Sequence, residues 1–252
     1  MANKEVVKKE SNNLAPVMTS NEWGSPQKFT SNDIVVPKIL PIQFMSDKLK
    51  NKEAEYGELR DTLNNDLFGD VNTPMEFIPF FVQKKWVEYQ VVTNKAGARK
   101  REFSRVIEID HTNDGLPYVD EGAGIERDRC VEVYVLIPKH IEEGSSFPYV
   151  LSFRRTSLKA GNKIITQILR NERMGMAPAA ASMFLSCKST QNDDGEFIVM
   201  DVKTGRKTTS DEVKDCFSWY KLVSSGATKL DESDLNGAAP TKEATDVDSS
   251  EY

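Results

Sequence analysis

The sequence predicts a mainly β domain of the β-rich α+β class, with one longer and one short helix, between a disordered N-terminal arm and an acidic C-terminal tail. Three observations carry this reading. Residues 75–109 look like two long strands joined by a cationic loop, and further strand-like apolar runs follow at 130–138 and 147–155. Both ends of the 252-residue chain are poor in apolar residues, so the hydrophobic fraction of 38% is low for a fully packed chain of this length. The boundaries that result are 1–33 for the arm, 34–224 for the folded domain and 225–252 for the tail.

Taken in order, the arm is rich in Asn, Ser, Lys and Glu and shows no apolar period. At IVVPKILPIQF the apolar content rises, but Pro37 and Pro41 forbid a continuous helix and favour an extended entry segment. Residues 56–63 read as a strand, turned by Asn64, Asn65 and Asp66 into Leu67 and Phe68, with Gly69-Asp70 as a second turn. In the stretch 75–82 apolar residues occupy both parities, as in a strand buried on two faces or curling through a barrel wall. Residues 111–129, with their Gly, Pro and Asp content, predict a long surface loop before the strand CVEVYVLIP, in which Val131, Val133, Val135 and Ile137 share one face. The next strand runs to Arg155, followed by a helix capped by Thr156 or Ser157 and ending near Gly175, with Leu158, Ile165, Ile168 and Leu169 on its apolar side. A hairpin turns at QNDDG, a further turn is expected around Gly205, and SDEVKDCFSWYKLV predicts a short helix with Ser210 as N-cap and Val213, Phe217 and Tyr220 docked on the sheet.

Charge gives the functional clue only when it is divided along the chain. The net charge is −6, and residues 230–252 alone contribute seven acids and one base, so the remainder is neutral. Between Lys84 and Arg105 there are seven basic residues against two acids, with Trp86, Tyr89 and Phe103 among them. Cations that neutralise phosphates, interleaved with rings on which bases stack, are the ingredients of sequence-tolerant single-strand binding. A polar hairpin tip with core aromatics would give the same pattern. Residues 154–173 hold six bases and one acid, and Lys159, Lys163, Thr166 and Arg170 recur on one helical face. The candidate nucleic-acid contacts are therefore Lys84, Lys85, Arg99, Lys100, Arg101, Arg154, Arg155, Lys159 and Lys163 for phosphates, and Trp86, Tyr89 and Phe153 for bases. Residues 106–146, with ten acids and three bases, would repel DNA and are expected on the opposite side or at an edge.

Other chemistry finds little support in the sequence. No phosphate loop, GxSxG elbow or HExxH motif occurs, and GAGIE at 122–126 lacks the third glycine and preceding strand of a dinucleotide fold, so no bond chemistry and no cofactor are expected. Cys130, Cys187 and Cys216 are widely spaced with only two histidines in the chain, which predicts buried apolar thiols rather than disulfides or a zinc site. Asp110, His111, Asp114, Asp120 and Glu121 match no cation-binding spacing and predict a solvated acidic loop. The absence of an apolar signal core or spanning run leads to the expectation of a cytoplasmic protein without a membrane partner.

The succession VPKI, GELRDTLNNDLFG, MEFIPFFVQKKWVEY and VLSFRRTSLKAGNKI resembles tailed-phage single-stranded DNA-binding proteins of the OB-fold type, over residues 34–223. The resemblance implies an elaborated OB-like barrel, a DNA groove on the sheet, a role in phage DNA replication or recombination, and an acidic tail that recruits partner enzymes. The expected partners are single-stranded DNA, a phage polymerase, helicase or recombinase reached through Asp246, Asp248, Glu251 and Tyr252, and a second copy of the chain in a homodimer. Two alternatives stay open: a phage structural or assembly accessory protein, and a metal-dependent nuclease using carboxylates of 106–146.

Overall fold

The structure, a computed structural model, describes residues 34–44, 46–93, 99–192, 195–225 and the backbone of 229–230. Both the arm and nearly all of the acidic tail, including Asp246, Asp248, Glu251 and Tyr252, lie outside the described residues. The mainly β expectation holds. Strands β1 (Val35–Val36), β2 (Lys38–Pro41), β3 (Leu59–Asp61), β4 (Leu67–Gly69), β5 (Met75–Thr93), β6 (Arg99–Glu108), β7 (Val119–Asp120), β8 (Ile125–Leu136), β9 (Tyr149–Arg154), β10 (Ala181–Asn192), β11 (Gly195–Lys207) and β12 (Lys229–Leu230) alternate with helices α1 (Asp47–Lys50), α2 (Pro138–Glu142), α3 (Leu158–Arg173) and α4 (Ser210–Ser224).

Ten strands form one mixed sheet in the order β11-β10-β5-β8-β9-β2-β3-β4, with β6 added to β5 and β7 to β8. It is an open sheet rather than the closed barrel that the resemblance implied. Its axis is the long antiparallel pair β5–β8, which runs from Ile78 opposite Leu136 to Gln90 opposite Ile125. β10 joins the start of β5, opposite Met75–Phe77 in register, whereas β6 pairs with its later half from Lys85 to Thr93. The two ends of β5 thus belong to different surroundings.

The two-sided apolar pattern of 75–82 has a direct cause. Met75 and Phe77 enter the main core with Val131, Val133, Val135, Leu151, Phe153, Leu185 and Met200, while Ile78 and Phe80 enter a second core with Tyr134, Leu136, Val150 and Cys216. A register shift between Pro79 and Phe81 lies within this switch. Helix α3 covers the main core and touches β8, β9 and β11. Its buried stripe is Ala160, Gly161 and Ile164, while Leu158, Ile165 and Ile168 are partly buried and Leu169 is exposed. Gly161 permits this approach: a Cβ there would lie 2.9 Å from Val131 Cβ and 3.0 Å from Phe153 Cβ. Gly161→Ala is accordingly expected to destabilise the fold by about 1 to 3 kcal/mol through overpacking, read from the urea midpoint.

Several local expectations change. The region 111–129 is not all loop, because β7 lies within it and β8 begins at Ile125, five residues early. Arg127 and Arg129 are polar, so the apolar alternation that marks the strand begins only at Cys130. No turn forms around Gly205; β11 continues to Lys207 opposite Ala181. Ser157 is the N-cap of α3 without a side-chain capping bond, and its Oγ instead accepts from Met200 N at 3.1 Å. In α4 the cap is Thr209, not Ser210, closing a capping box with Glu212. Its buried residues are Glu212, Cys216 and Val223, whereas Phe217 and Tyr220 are exposed and stack on each other, Tyr220 meeting the sheet through an edge contact with Phe81 of β5. Helices α1 and α2 were not expected, and β12, in parallel with β1, lies beyond the predicted boundary at 224. The three cysteines are free and buried, as expected.

Candidate nucleic-acid interface

Strands β5 and β6 place the basic hairpin beside β8, and this placement decides its electrostatics. Tyr89 is in register with Glu126 and Val87 with Asp128, so the acidic strand runs next to the basic one instead of on the opposite side. Arg99 and Arg101 both bind Glu126, at 3.0 and 3.2 Å, and Arg101 and Arg155 both bind Asp128, at 3.1 and 2.9 Å. Arg105 and Arg127 share Glu88. Lys100 makes an exposed pair with Glu102. The cations that looked available in the sequence are therefore largely neutralised within the fold, leaving Lys84 exposed beside them.

The rings expected to stack bases are interior. Trp86 is 1% exposed, donates its Nε1 hydrogen to Asn113 O at 3.0 Å and meets Tyr118 edge-on. Tyr89 is 4% exposed beneath the Arg101 guanidinium, its hydroxyl accepts from Arg154, and burial pushes its phenol above the ordinary range. Phe153 is fully buried in the main core. Lys85 is also buried, 2.6 Å from Glu132. Burial removes all four from the surface that DNA could touch. The loop carboxylates serve the fold too: Asp110 caps the turn to Thr112 and Asn113, Asp120 accepts from Ala123 N, and Asp114 binds Arg129.

The cationic surface that remains lies on α3 and the β10–β11 ribbon. Lys159, Lys163, Thr166, Arg170 and Arg173 all face outward along the helix. Ser186 and Asp201 are opposite each other on β10 and β11, as are Phe184 and Lys203, so these four side chains share the ribbon's outer face. Asp201 ties helix to ribbon, because it binds Lys163 from α3 and Lys188 from β10. Its carboxyl is held down to about 2, chiefly by the Lys163 ammonium, so it stays ionised and is outnumbered by its two lysines. Phe184 is 38% exposed, with its ring above Gly205. Sequence reasoning did not assign Phe184, Lys188, Lys203 or Arg173 to the site. The signal for Phe184 and Lys188 was the alternation of β10 from Met183 onward, in which Met183, Leu185 and Cys187 are buried while Phe184 and Lys188 are exposed.

A family model described as Pam3 phage gp34-like protein matches residues 8–229. The chain belongs to the Pam3 phage gp34-like family. Within the gp34-like region lie all ten strands of the main sheet, the small β1–β12 pair except Leu230, and all of the candidate contacts on α3 and the ribbon. The match stops before the acidic segment 231–252. No curated protein and no solved structure matches the gp34-like chain. Among its described residues no helix is long and apolar enough to cross a membrane.

Proposed function

We propose that this phage gp34-like protein binds single-stranded DNA without strong sequence preference and acts in phage DNA replication or recombination. The observation that carries the reading is the one-sided cationic face of α3 continuing through Lys163, Asp201 and Lys188 onto a ribbon that presents an exposed ring, Phe184. Phosphates would follow Lys159, Lys163, Arg170 and Lys188, with Lys84, Arg99, Lys100, Arg154 and Arg155 as outlying charges. A base would stack on Phe184 in place of the interior rings. Binding is preferred over the nuclease alternative because Asp114, Glu126, Asp128 and Glu132, which a nuclease of the 106–146 region would draw on, are engaged by arginines and lysines.

Fluorescence titration of oligo-dT tests this surface. Lys159→Glu with Arg170→Glu should weaken binding and flatten the log-log salt dependence by about 0.7 for each phosphate no longer neutralised, since every such pairing releases condensed counterion. Phe184→Ala should cost about 1 to 3 kcal/mol of affinity. Unchanged affinity in both folded variants would exclude the α3 and ribbon surface. Wild-type protein that bound no oligo-dT at low salt would instead favour the structural or assembly role.

The acidic segment enters the same reading. Residues 231–252 carry seven acids and one lysine, and a tethered segment of net −6 competes with phosphates at high effective concentration. Deleting 231–252 should tighten DNA binding, more at low salt than at high, because salt screens the competition. In the full chain, DNA would release Asp246, Asp248, Glu251 and Tyr252 to a basic pocket on a polymerase, helicase or recombinase. A truncated protein with wild-type affinity at every salt concentration and normal support of phage growth would reduce this segment to a solubilising role.

A further inference from the structure

We infer that two copies of the chain pair edge to edge through β6, antiparallel, about a two-fold axis between Phe103 and Ser104. The partner surface follows from the topology. β6 is joined to the sheet by β5 alone, so among the described residues its other edge, ten residues long, has no strand beside it. Such an edge is a ready template for a further strand, and long natural edges are protected by charge or by a bulge. β6 has both, and the arrangement of its charges selects its own copy.

Written against itself about that midpoint, RKREFSRVIE sets Arg99 opposite Glu108 of the second copy and Glu102 opposite its Arg105. The two-fold repeats each pair, so four opposite-charge pairs form and no like charges stand directly opposite. Lys100 falls opposite Ile107 and Arg101 opposite Val106. These two positions are neutral to the pairing.

Facing gives an independent check. On a regular strand, residues three or nine apart point to opposite faces, and the charged pairs could not meet. β6 is irregular: Arg105 is in register with Glu88 but Phe103 with Tyr89, so Ser104 is an extra residue that reverses the alternation. Glu102 and Arg105 therefore face the same way, being opposite Gln90 and Glu88, as do Arg99 and Glu108, opposite Thr93 and Lys85. The bulge that would discourage an arbitrary strand brings the self-complementary charges onto matching faces. Arg105 uses only Nε for Glu88, which leaves its Nη atoms for a second carboxylate, and Glu102 is held only by an exposed lysine, a weak competitor.

Sedimentation of the full chain over a wide concentration range reads the pairing. The wild type should dimerise, and Glu102→Lys with Glu108→Lys, both exposed and outside the DNA surface, should sediment as a monomer with an unchanged circular dichroism spectrum. Diamide oxidation checks the register without depending on that variant's folding. Ser104→Cys lies next to the axis, within disulfide reach of its own copy, whereas Lys100→Cys lies more than about 20 Å from its counterpart. The native thiols are buried. Covalent dimer from Ser104→Cys and none from Lys100→Cys supports the axis. A wild type that stays monomeric throughout, a doubly substituted variant that folds and still dimerises, or equal cross-linking at both positions would overturn it. None of these outcomes depends on DNA binding.

Discussion

Trp86→Ala is expected to lower stability by about 3 to 5 kcal/mol while leaving the oligo-dT affinity of the folded protein unchanged. The ring is almost fully enclosed, and its loss opens a cavity between β5 and the 110–118 loop that crosses it. The indole N–H also anchors that loop through Asn113 O, whose side chain in turn donates from Nδ2 to Glu108 O at 2.8 Å. The substitution therefore removes packing and a hydrogen bond, and leaves a carbonyl acceptor to be rehydrated. Urea denaturation beside a DNA titration measures both quantities. A marked loss of affinity with unchanged stability would return the ring to the DNA path.

Glu132→Gln should be comparably damaging, at about 3 to 5 kcal/mol, because it takes away the carboxylate that the buried Lys85 ammonium meets at 2.6 Å. Lys38 is 1% exposed, Lys85 8% and Glu132 5%, and the single carboxylate serves both lysines, at 3.7 and 2.6 Å. The 2.6 Å approach is a charge contact without hydrogen-bond alignment at Oε2, and the neighbouring buried Ser152 hydroxyl has no hydrogen-bond partner. Glutamine keeps the shape but not the charge, so the loss isolates electrostatics from packing. Replacing all three residues together by Met, Leu and Met should be far milder than the single change, since no buried charge is then left uncompensated. Chemical denaturation of the two variants compares them directly. A single variant no less stable than the triple would mean that the cluster is hydrated and weakly coupled.

How much of this could be read from the sequence depended on whether the deciding interaction was local. Val131, Val133, Val135 and Ile137 declare a strand face by their own alternation, and the one-sided lysines and arginines of α3 declare an exposed stripe. The Asn64-Asn65-Asp66 turn was equally legible; Asp61 accepts from the backbone of Leu63, Asn64 and Asp66 to close it. The state of the basic hairpin was not legible, because it depends on β8 lying in register beside β5, with Glu126 and Asp128 arriving from a distant part of the sequence. Trp86 and Tyr89 look like platforms among cations in the sequence, but the 110–118 loop and the Arg101 guanidinium cover them in the fold. Phe184 was hidden for another reason. In MFLSC apolar residues occupy both parities, and only the fold distinguishes the inward Met183, Leu185 and Cys187 from the exposed Phe184.

Photo-cross-linking of oligo-dT to the full-length protein, followed by mass spectrometry of the attached peptides, would locate the DNA path on the molecule itself. Adducts are expected on the 181–207 ribbon, centred on Phe184, and on α3, reduced by salt and by Lys159→Glu with Arg170→Glu. Adducts at Trp86 or Tyr89, or no adduct under conditions that cross-link a known single-strand binder, would contradict a DNA path over α3 and the ribbon.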